Sequence, residues 1–184
     1  MTIREEQLYS DIVLWLERYL KENAADAEFI KVVDSHNRFL CNSIKSIFNH
    51  IPKELRRKYG RFLPSDYVSW YIKVDIFGIV GIYNALRTII VEVKSGEITI
   101  DHVAQLIGYV KVVKPELAIL ISPMGISKYL ERLLVQHKRL DLLEYEDRIG
   151  KKRKIHIVKW NVNKRDIEYI PEPIGGVLYL DLGY

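Results

Sequence analysis

The chain has 184 residues, 48% hydrophobic and 28% charged, with a net charge of +4; this is enough for one domain with a real core, excludes a disordered chain and mildly favours a polyanionic partner. A single cysteine, Cys41, excludes an internal disulfide framework, a four-cysteine zinc site and a cysteine-held iron–sulfur cluster. No apolar run approaches the roughly 20 residues of a membrane span and MTIREEQLYS lacks a signal-peptide pattern, so the expectation is a protein of the reducing cytoplasm with no membrane contact.

Thr2 and Glu5 have capping-box spacing, and Leu8, Ile12, Leu16, Tyr19 and Leu20 follow as an apolar stripe, which predicts a helix over residues 3–22 packed by one face on a sheet. Glu5, Glu6 and Glu17 lie along it, where such acids are usually solvated. Residues 28–33 read as a short strand. Residues 43–59 read as helical in two pieces broken at Pro52, which suits the first turn of the second piece. That piece carries Lys53, Arg56, Arg57 and Lys58, with Arg61 just beyond. Residues 67–80 are aromatic and β-branched and predict one or two strands ending at Gly78 or Gly81.

Residues 86–94 predict the next strand. Ile89, Ile90 and Val91 lack alternation, as expected of a strand buried on both faces. Ser95-Gly96 turns the chain, and Thr99 or Asp101 can cap a helix through about Val112, with Val103, Leu106, Ile107 and Val110 as its stripe. Residues 116–122 predict a buried strand ended by Pro123 and Gly125. A helix over about 126–138 follows, then a charged loop with Lys151, Lys152, Arg153 and Lys154, and a last core strand around Ile155–Trp160. The tail 166–184 holds two prolines, a Gly-Gly pair and the apolar run Val177–Leu182, a candidate interface for a homodimer. No repeat or linker divides the chain. The expectation is one α/β domain over 1–184, with a 1–60 helical part, a core of about 66–160 and the tail.

The chemistry-bearing stretch is Lys73 to Tyr109. Side chains alternate along a strand, so Glu92 and Lys94 point the same way, roughly 6–7 Å apart along the backbone. If the two strands pair, Asp75 lies beside them. Charged groups at an apolar strand end cost desolvation unless they are paired, and two carboxylates with a lysine there can hold a divalent cation. Magnesium takes oxygen ligands and keeps several waters, so Asp75, Glu92 and the carbonyl of Val93 suffice as protein ligands. Such a cation binds phosphate and positions water, and Lys94 can orient or help deprotonate that water, or stabilise developing charge. Gln105 and Tyr109, four residues apart, share one side of the next helix with His102. They can hold the lysine or a DNA phosphate, while His102 reads as a helix-start residue. Trp70 and Tyr71 near the acid can stack on bases, although core packing is the default for aromatic residues.

Asp75, then Glu92-Val93-Lys94 seventeen residues on, then Gln105-Leu-Ile-Gly-Tyr109 resembles the PD-(D/E)XK nuclease superfamily. The glutamine–tyrosine element resembles its RecB-type branch, where Q-x-x-x-Y follows the E-x-K strand. The resemblance spans about residues 66–122 and implies a restriction-endonuclease-like α/β domain, a central mixed sheet flanked by helices in the order αβββαβ. It also implies Mg2+- or Mn2+-dependent cleavage of DNA, by endonuclease or exonuclease, with Asp75 and Glu92 as ligands and Lys94 as catalytic lysine. Small stand-alone members often work as homodimers, the archaeal Holliday-junction resolvases among them. Two departures stand out. Val74 occupies the position before the first acid where the family has proline, Pro64-Ser65-Asp66 lying too early, and the acid or histidine often supplied by the first helix has no clear match, Glu6 ranking ahead of Glu17 and His36. Beside such a site the basic groups at 53–61 and 151–154, otherwise solvated faces, become phosphate anchors. The alternatives are a non-catalytic nucleic-acid-binding or assembly protein that keeps the fold, and a metal-dependent hydrolase of another phosphoester.

Overall fold

The computed structural model describes residues 4–168 of the chain. The expected Thr2 cap and the apolar run Val177–Leu182, with the dimer interface assigned to it, lie outside these residues. The apolar runs form the middle of a sheet. Ile76–Ile82 (β2), Ala85–Val93 (β3) and Leu117–Ser122 (β4) are its central strands, and Phe29–Asp34 (β1) pairs antiparallel with β2. β2 and β3 are antiparallel, joined by a two-residue turn at Tyr83 and Asn84 whose φ values of 47° and 58° fit a hairpin that follows the strand twist. β3 and β4 are parallel, which requires a crossover, supplied by the helix Ile100–Val113. Lys152–Asn161 (β6) continues the sheet parallel to β4, and Glu144–Glu146 (β5) and Asp166–Glu168 (β7) pair antiparallel with the two ends of β6. Among the described residues this makes one seven-stranded mixed sheet, in the order β1-β2-β3-β4-β6-β5 with β7 also on β6.

Both faces of the sheet are covered. Helix α1 (Glu6–Asn23) lays Leu8, Ile12, Trp15, Leu16 and Leu20 on one face, against Ile89, Val91, Ile119 and Ile121. The other face carries α2 (Leu40–His50), α3 (Lys53–Gly60) and the crossover helix, now α4, over Phe77, Ile79, Ile90, Ala118 and Leu120. The α/β class and the central mixed sheet flanked by helices are as the sequence predicts, with the αβββαβ order present and α2 and α3 inserted between β1 and β2. No helix among the described residues is long and apolar enough to cross a membrane.

Several expectations change. The aromatic stretch from Tyr67 does not start a strand: Tyr67–Ser69 is one 3-10 turn, and β2 begins only at Ile76. Neither Gly78 nor Gly81 ends that strand, which runs through both to Ile82. Glycine at 81 makes room for a ring, since a Cβ there would lie 2.1 Å from Phe29 Cε1. The expected helix over 126–138 is α5 (Lys128–Glu131) followed by a π turn, Arg132–Gln136. The charged loop is shorter than expected because Lys152, Arg153 and Lys154 belong to β6, while the 3-10 turn Leu140–Leu143 and strand β5 precede it.

Gly81→Ala is expected to destabilise the protein by about 1–3 kcal/mol, the range for overpacking a filled core. Gly78→Ala, whose Cβ would meet Ile89 Cβ at 3.4 Å, should cost less. Urea midpoints of the two variants check the order, and equal shifts would mean that the Phe29 ring moves aside freely.

Candidate active site

Register brings the two acids together. β2 and β3 pair with Ile76 opposite Val91, so the next step outward sets Asp75 opposite Glu92. Asp75 Oδ2 accepts the backbone N–H of Val93 at 2.8 Å, and Asp75 Oδ1 accepts the Tyr9 hydroxyl at 3.2 Å. Lys94 Nζ donates to Glu92 Oε1 at 2.8 Å, and Gln105 Nε2 reaches the same oxygen at 2.7 Å and Tyr109 Oη at 3.0 Å. Glu92, Lys94, Gln105 and Tyr109 therefore form one hydrogen-bonded network at the end of β3, and Asp75, at the start of β2, joins the cluster by its charge acting on Glu92 and Lys94. Val93 enters it through its amide, and its carbonyl belongs to the same strand end.

Glu92 is 2% exposed, and its Oε2 is buried with no hydrogen-bond partner. Burial, reinforced by the charge of Asp75, pushes its carboxyl up to about 7 from the usual 4.5, against the pull of Lys94. Burial also raises Asp75 above the usual carboxylate range, despite the Val93 amide, Lys94 and Tyr9. For Lys94, burial works to lower the pKa, but the hydrogen bond to Glu92 and the fields of Glu92, Asp75 and Glu5 outweigh it. The amine is thus an ammonium at neutral pH. The Tyr9 hydroxyl is raised by burial and by Asp75, so it stays a donor.

The first helix contributes Glu5, not Glu6. Glu5 Oε1 accepts the Ser95 N–H at 3.1 Å, directly after Lys94, and its field acts on Asp75, Glu92 and Lys94. Glu5 and Tyr9 are four residues apart and so share one side at the start of α1, whereas Glu6 is exposed. Glu17 lies about three turns further along α1. His36 touches only the rim, its ring 4.6 Å from that of Tyr9 and its Nδ1 against Asp34. Tyr9 was not anticipated. Its four-residue spacing from Glu5 was the available signal.

His102 caps α4: its Nδ1 accepts the Thr99 N–H at 3.1 Å, taking the place of the glutamate of a capping box. Burial first, then the charge of Lys94, lowers its pKa, which suits a neutral acceptor. Trp70 is core, 1% exposed, with its indole N–H on Asp66 Oδ2 and Arg148 over its ring. The basic groups are partly committed elsewhere: Lys58 pairs with Glu28, Arg56 holds the Asn49 carbonyl, and Arg153 pairs with the buried Asp147 at 2.8 Å. A recess of about 530 Å3 opens at the start of α4, lined by Thr99, Ile100, Tyr129, Leu130 and Arg132 and by none of the cluster's carboxylates.

Glu5, Asp75 and Glu92 face one ammonium, so the cluster carries surplus negative charge, and the orphaned Glu92 Oε2 is an acceptor aimed at no protein donor. These groups fit a divalent cation. Among the described residues no three His, Cys, Asp or Glu side chains converge as a ready-made ligand set, so a cation here would take its remaining ligands from backbone and water, as magnesium commonly does. Compared with known protein families, with characterised proteins and with solved structures, the chain matches none.

The raised Glu92 carboxyl has a consequence for stability. Between its ordinary 4.5 and about 7 the folded chain keeps a proton that the unfolded chain has released. The associated stability, on the order of 3 kcal/mol, is therefore full below about pH 4.5 and lost as pH rises through about 7. Glu92→Gln keeps the acceptor for Lys94 and Gln105 without the charge. It is expected to melt above wild type at about pH 8 and close to it near pH 4. Thermal melts across pH check this, and a variant no more stable than wild type at the higher pH would defeat it.

Proposed function

We propose that this chain is a metal-dependent nuclease that hydrolyses DNA phosphodiesters, a member of the PD-(D/E)XK superfamily by resemblance. The observation that carries the reading is the Asp75–Glu92 pair, Asp75 half-buried and Glu92 buried, with Glu92 pushed up to about 7 and one oxygen orphaned. A sheet gains nothing structural from leaving such a pair undercompensated, whereas a cation site needs it. Asp75, Glu92 and the Val93 carbonyl would hold Mg2+ or Mn2+, which when bound neutralises phosphate charge and makes water a better nucleophile.

The protein's own groups divide the remaining work. Tyr9 and the Val93 amide fix both oxygens of Asp75, leaving its free lone pairs directed by the strand end. Gln105, itself held by Tyr109, fixes Glu92 Oε1. Lys94 stays an ammonium, which suits stabilising the negative charge that grows on the phosphate in the transition state more than removing a proton. Glu5 ties down Ser95 and so the backbone on which Lys94 stands. The bonded cluster faces the strand ends instead of lining the recess beside α4, which favours a polymer laid across the site over a small enclosed phosphoester.

One observation favours the second reading, a nucleic-acid-binding or assembly protein without catalysis: the described side chains do not converge as three metal ligands. Cleavage of end-labelled single-stranded, duplex, flap and four-way-junction DNA in Mg2+, Mn2+ and EDTA separates the two. The nuclease cuts only with metal. Lys94→Ala and Asp75→Ala are expected to lose about a hundred- to thousandfold in rate, with DNA binding largely kept. Equal activity in these variants defeats the site, and salt-sensitive binding with no cutting by wild type in either metal favours the second reading.

Glu5→Gln is expected to slow cleavage about tenfold, as loss of a group that orients the reacting shell does, while Glu6→Gln leaves it unchanged. The same assay with both variants checks this, and the reverse order would restore Glu6 as the helix's contribution.

A further inference from the structure

The segment leading into Asp75 alternates: Trp70, Val74 and Ile76 are buried and Ile72 packs against the core, while Tyr71 and Lys73 are exposed and Asp75 is half-buried. Tyr71, Lys73 and Asp75 thus lie on one side of an extended stretch. Four extended steps of about 3.3 Å put Tyr71 roughly 13 Å from the acid. The stretch is tethered to the start of α2, with the Leu40 N–H on the Ile72 carbonyl at 2.8 Å and the Cys41 N–H on the Trp70 carbonyl at 3.3 Å. Phe39, on the same tether, meets the Tyr71 ring at 5.5 Å with a 69° interplanar angle, and the Lys73 ammonium stands 5.4 Å from the Phe39 centroid. Tyr71 is 69% exposed and Phe39 39%. Arg38, exposed and adjacent, sits on the turn whose Ser35 N–H bonds the Asp75 carbonyl. No carboxylate among the described residues pairs with Arg38 or Lys73.

An exposed ring held edge-on by a second ring, flanked by two cations that pair with no carboxylate among the described residues and aligned with the candidate acid, has an identifiable use. We infer that Phe39, Tyr71, Lys73 and Arg38 form a platform for an unpaired DNA strand, with Tyr71 stacking on a base and the two cations on its phosphates. The inference rests on the nuclease reading for its placement and names that site's substrate class. A paired base has both faces stacked within the duplex, so only an unpaired base can offer its face to a tyrosine. A protein partner would also use the rings, but two cations beside them that no described carboxylate pairs favour a polyanion. Tyr71 costs little to order because its backbone and its ring are already held, which is what pre-organised binding requires.

The test is binding in EDTA, where no metal-dependent cutting interferes. A fluorescent single-stranded DNA oligomer, its duplex and the RNA of the same sequence are titrated by anisotropy, with 2-aminopurine in the strand as a stacking reporter. Single-stranded DNA is expected to bind at least about tenfold more tightly than duplex, with 2-aminopurine quenched. Tyr71→Ala should weaken strand binding about ten- to hundredfold, the range for losing one stacked base, and abolish the quench, while Tyr71→Trp keeps both. Lys73→Ala should lower the salt slope by roughly 0.7, one phosphate contact on a single strand. Tighter binding of the duplex or the RNA, or an unchanged quench in Tyr71→Ala, overturns the platform. So does self-association lost in Tyr71→Ala without strand binding, which would make the patch a contact between copies. Cleavage is read separately: strand binding through Tyr71 with no cutting by wild type defeats the nuclease reading alone. Cutting by wild type, with the strand preference untouched in Tyr71→Ala, defeats the platform alone.

Discussion

Antiparallel register is the constraint on which the candidate site depends. With Ile76 opposite Val91, Asp75 and Glu92 are adjacent across two strands that are buried on both faces, and no side-chain rotation can separate their backbones. Two carboxylates so placed repel each other and lose water together, and both effects favour protonation. The surrounding groups read as responses to that conflict. Lys94 and Gln105 share one oxygen of Glu92, while Tyr9 and the Val93 amide take one oxygen each of Asp75. The other oxygen of Glu92 is left over. Stability is given up at this spot and must come from the two apolar faces of the sheet, the usual relation between a functional site and its scaffold.

Helices on opposite faces serve the same strand end by the same device. On α1, Glu5 and Tyr9 are four residues apart, and on α4, Gln105 and Tyr109 are too; in each pair the spacing sets both side chains on one side of the helix. The apolar stripes fix how each helix lies on the sheet, so packing between Ile12 or Leu16 and β3, or between Leu106 and the opposite face, aims the polar pairs. The capping of α4 by Thr99 and His102 fixes where that helix begins, and with it the reach of Gln105. Packing and chemistry are thus coupled through helix phase.

That coupling explains what could be read from the sequence. The pairs Glu92–Lys94 and Gln105–Tyr109 were legible because periods of two and four set each pair on one side of its own element, and Asp75 followed once the strands were assumed to pair. Tyr9 and Glu5 required the phase of α1 against the sheet, a tertiary fact, and the choice of Glu6 was one residue out of phase. The aromatic run after Tyr67 looked like a strand by propensity, yet Trp70 is spent on the core and Tyr71 on the surface, with only a 3-10 turn between Tyr67 and Ser69. Gly78 and Gly81 looked like strand ends, whereas Gly81 answers the Phe29 ring on the neighbouring strand, a partner invisible to any local rule. The expected long helix after Ile126 keeps Leu130 and Leu134 in the core but leaves Tyr129 on the surface, and the chain loosens to a π turn at Arg132.

On the proposed nuclease reading, the charge balance at the strand end argues for what Lys94 would do. Its ammonium is the only cation hydrogen-bonded within the described cluster, set against Glu5, Asp75 and Glu92. Those carboxylates hold its proton more tightly than water would, so in the metal-free state it is a poor base. A bound divalent cation would draw on the same carboxylates and weaken their hold on the ammonium, since opposite charges nearby are what raise it. On the proposed nuclease reading, lysine and cation would share one pool of negative charge. A substrate phosphate would add to that pool, and its arrival would favour keeping both positive charges in place. The arrangement suits a residue that supplies charge to a phosphodiester as the reaction builds it up, with Gln105 and Tyr109 keeping Glu92, and through it Lys94, from following the phosphate away.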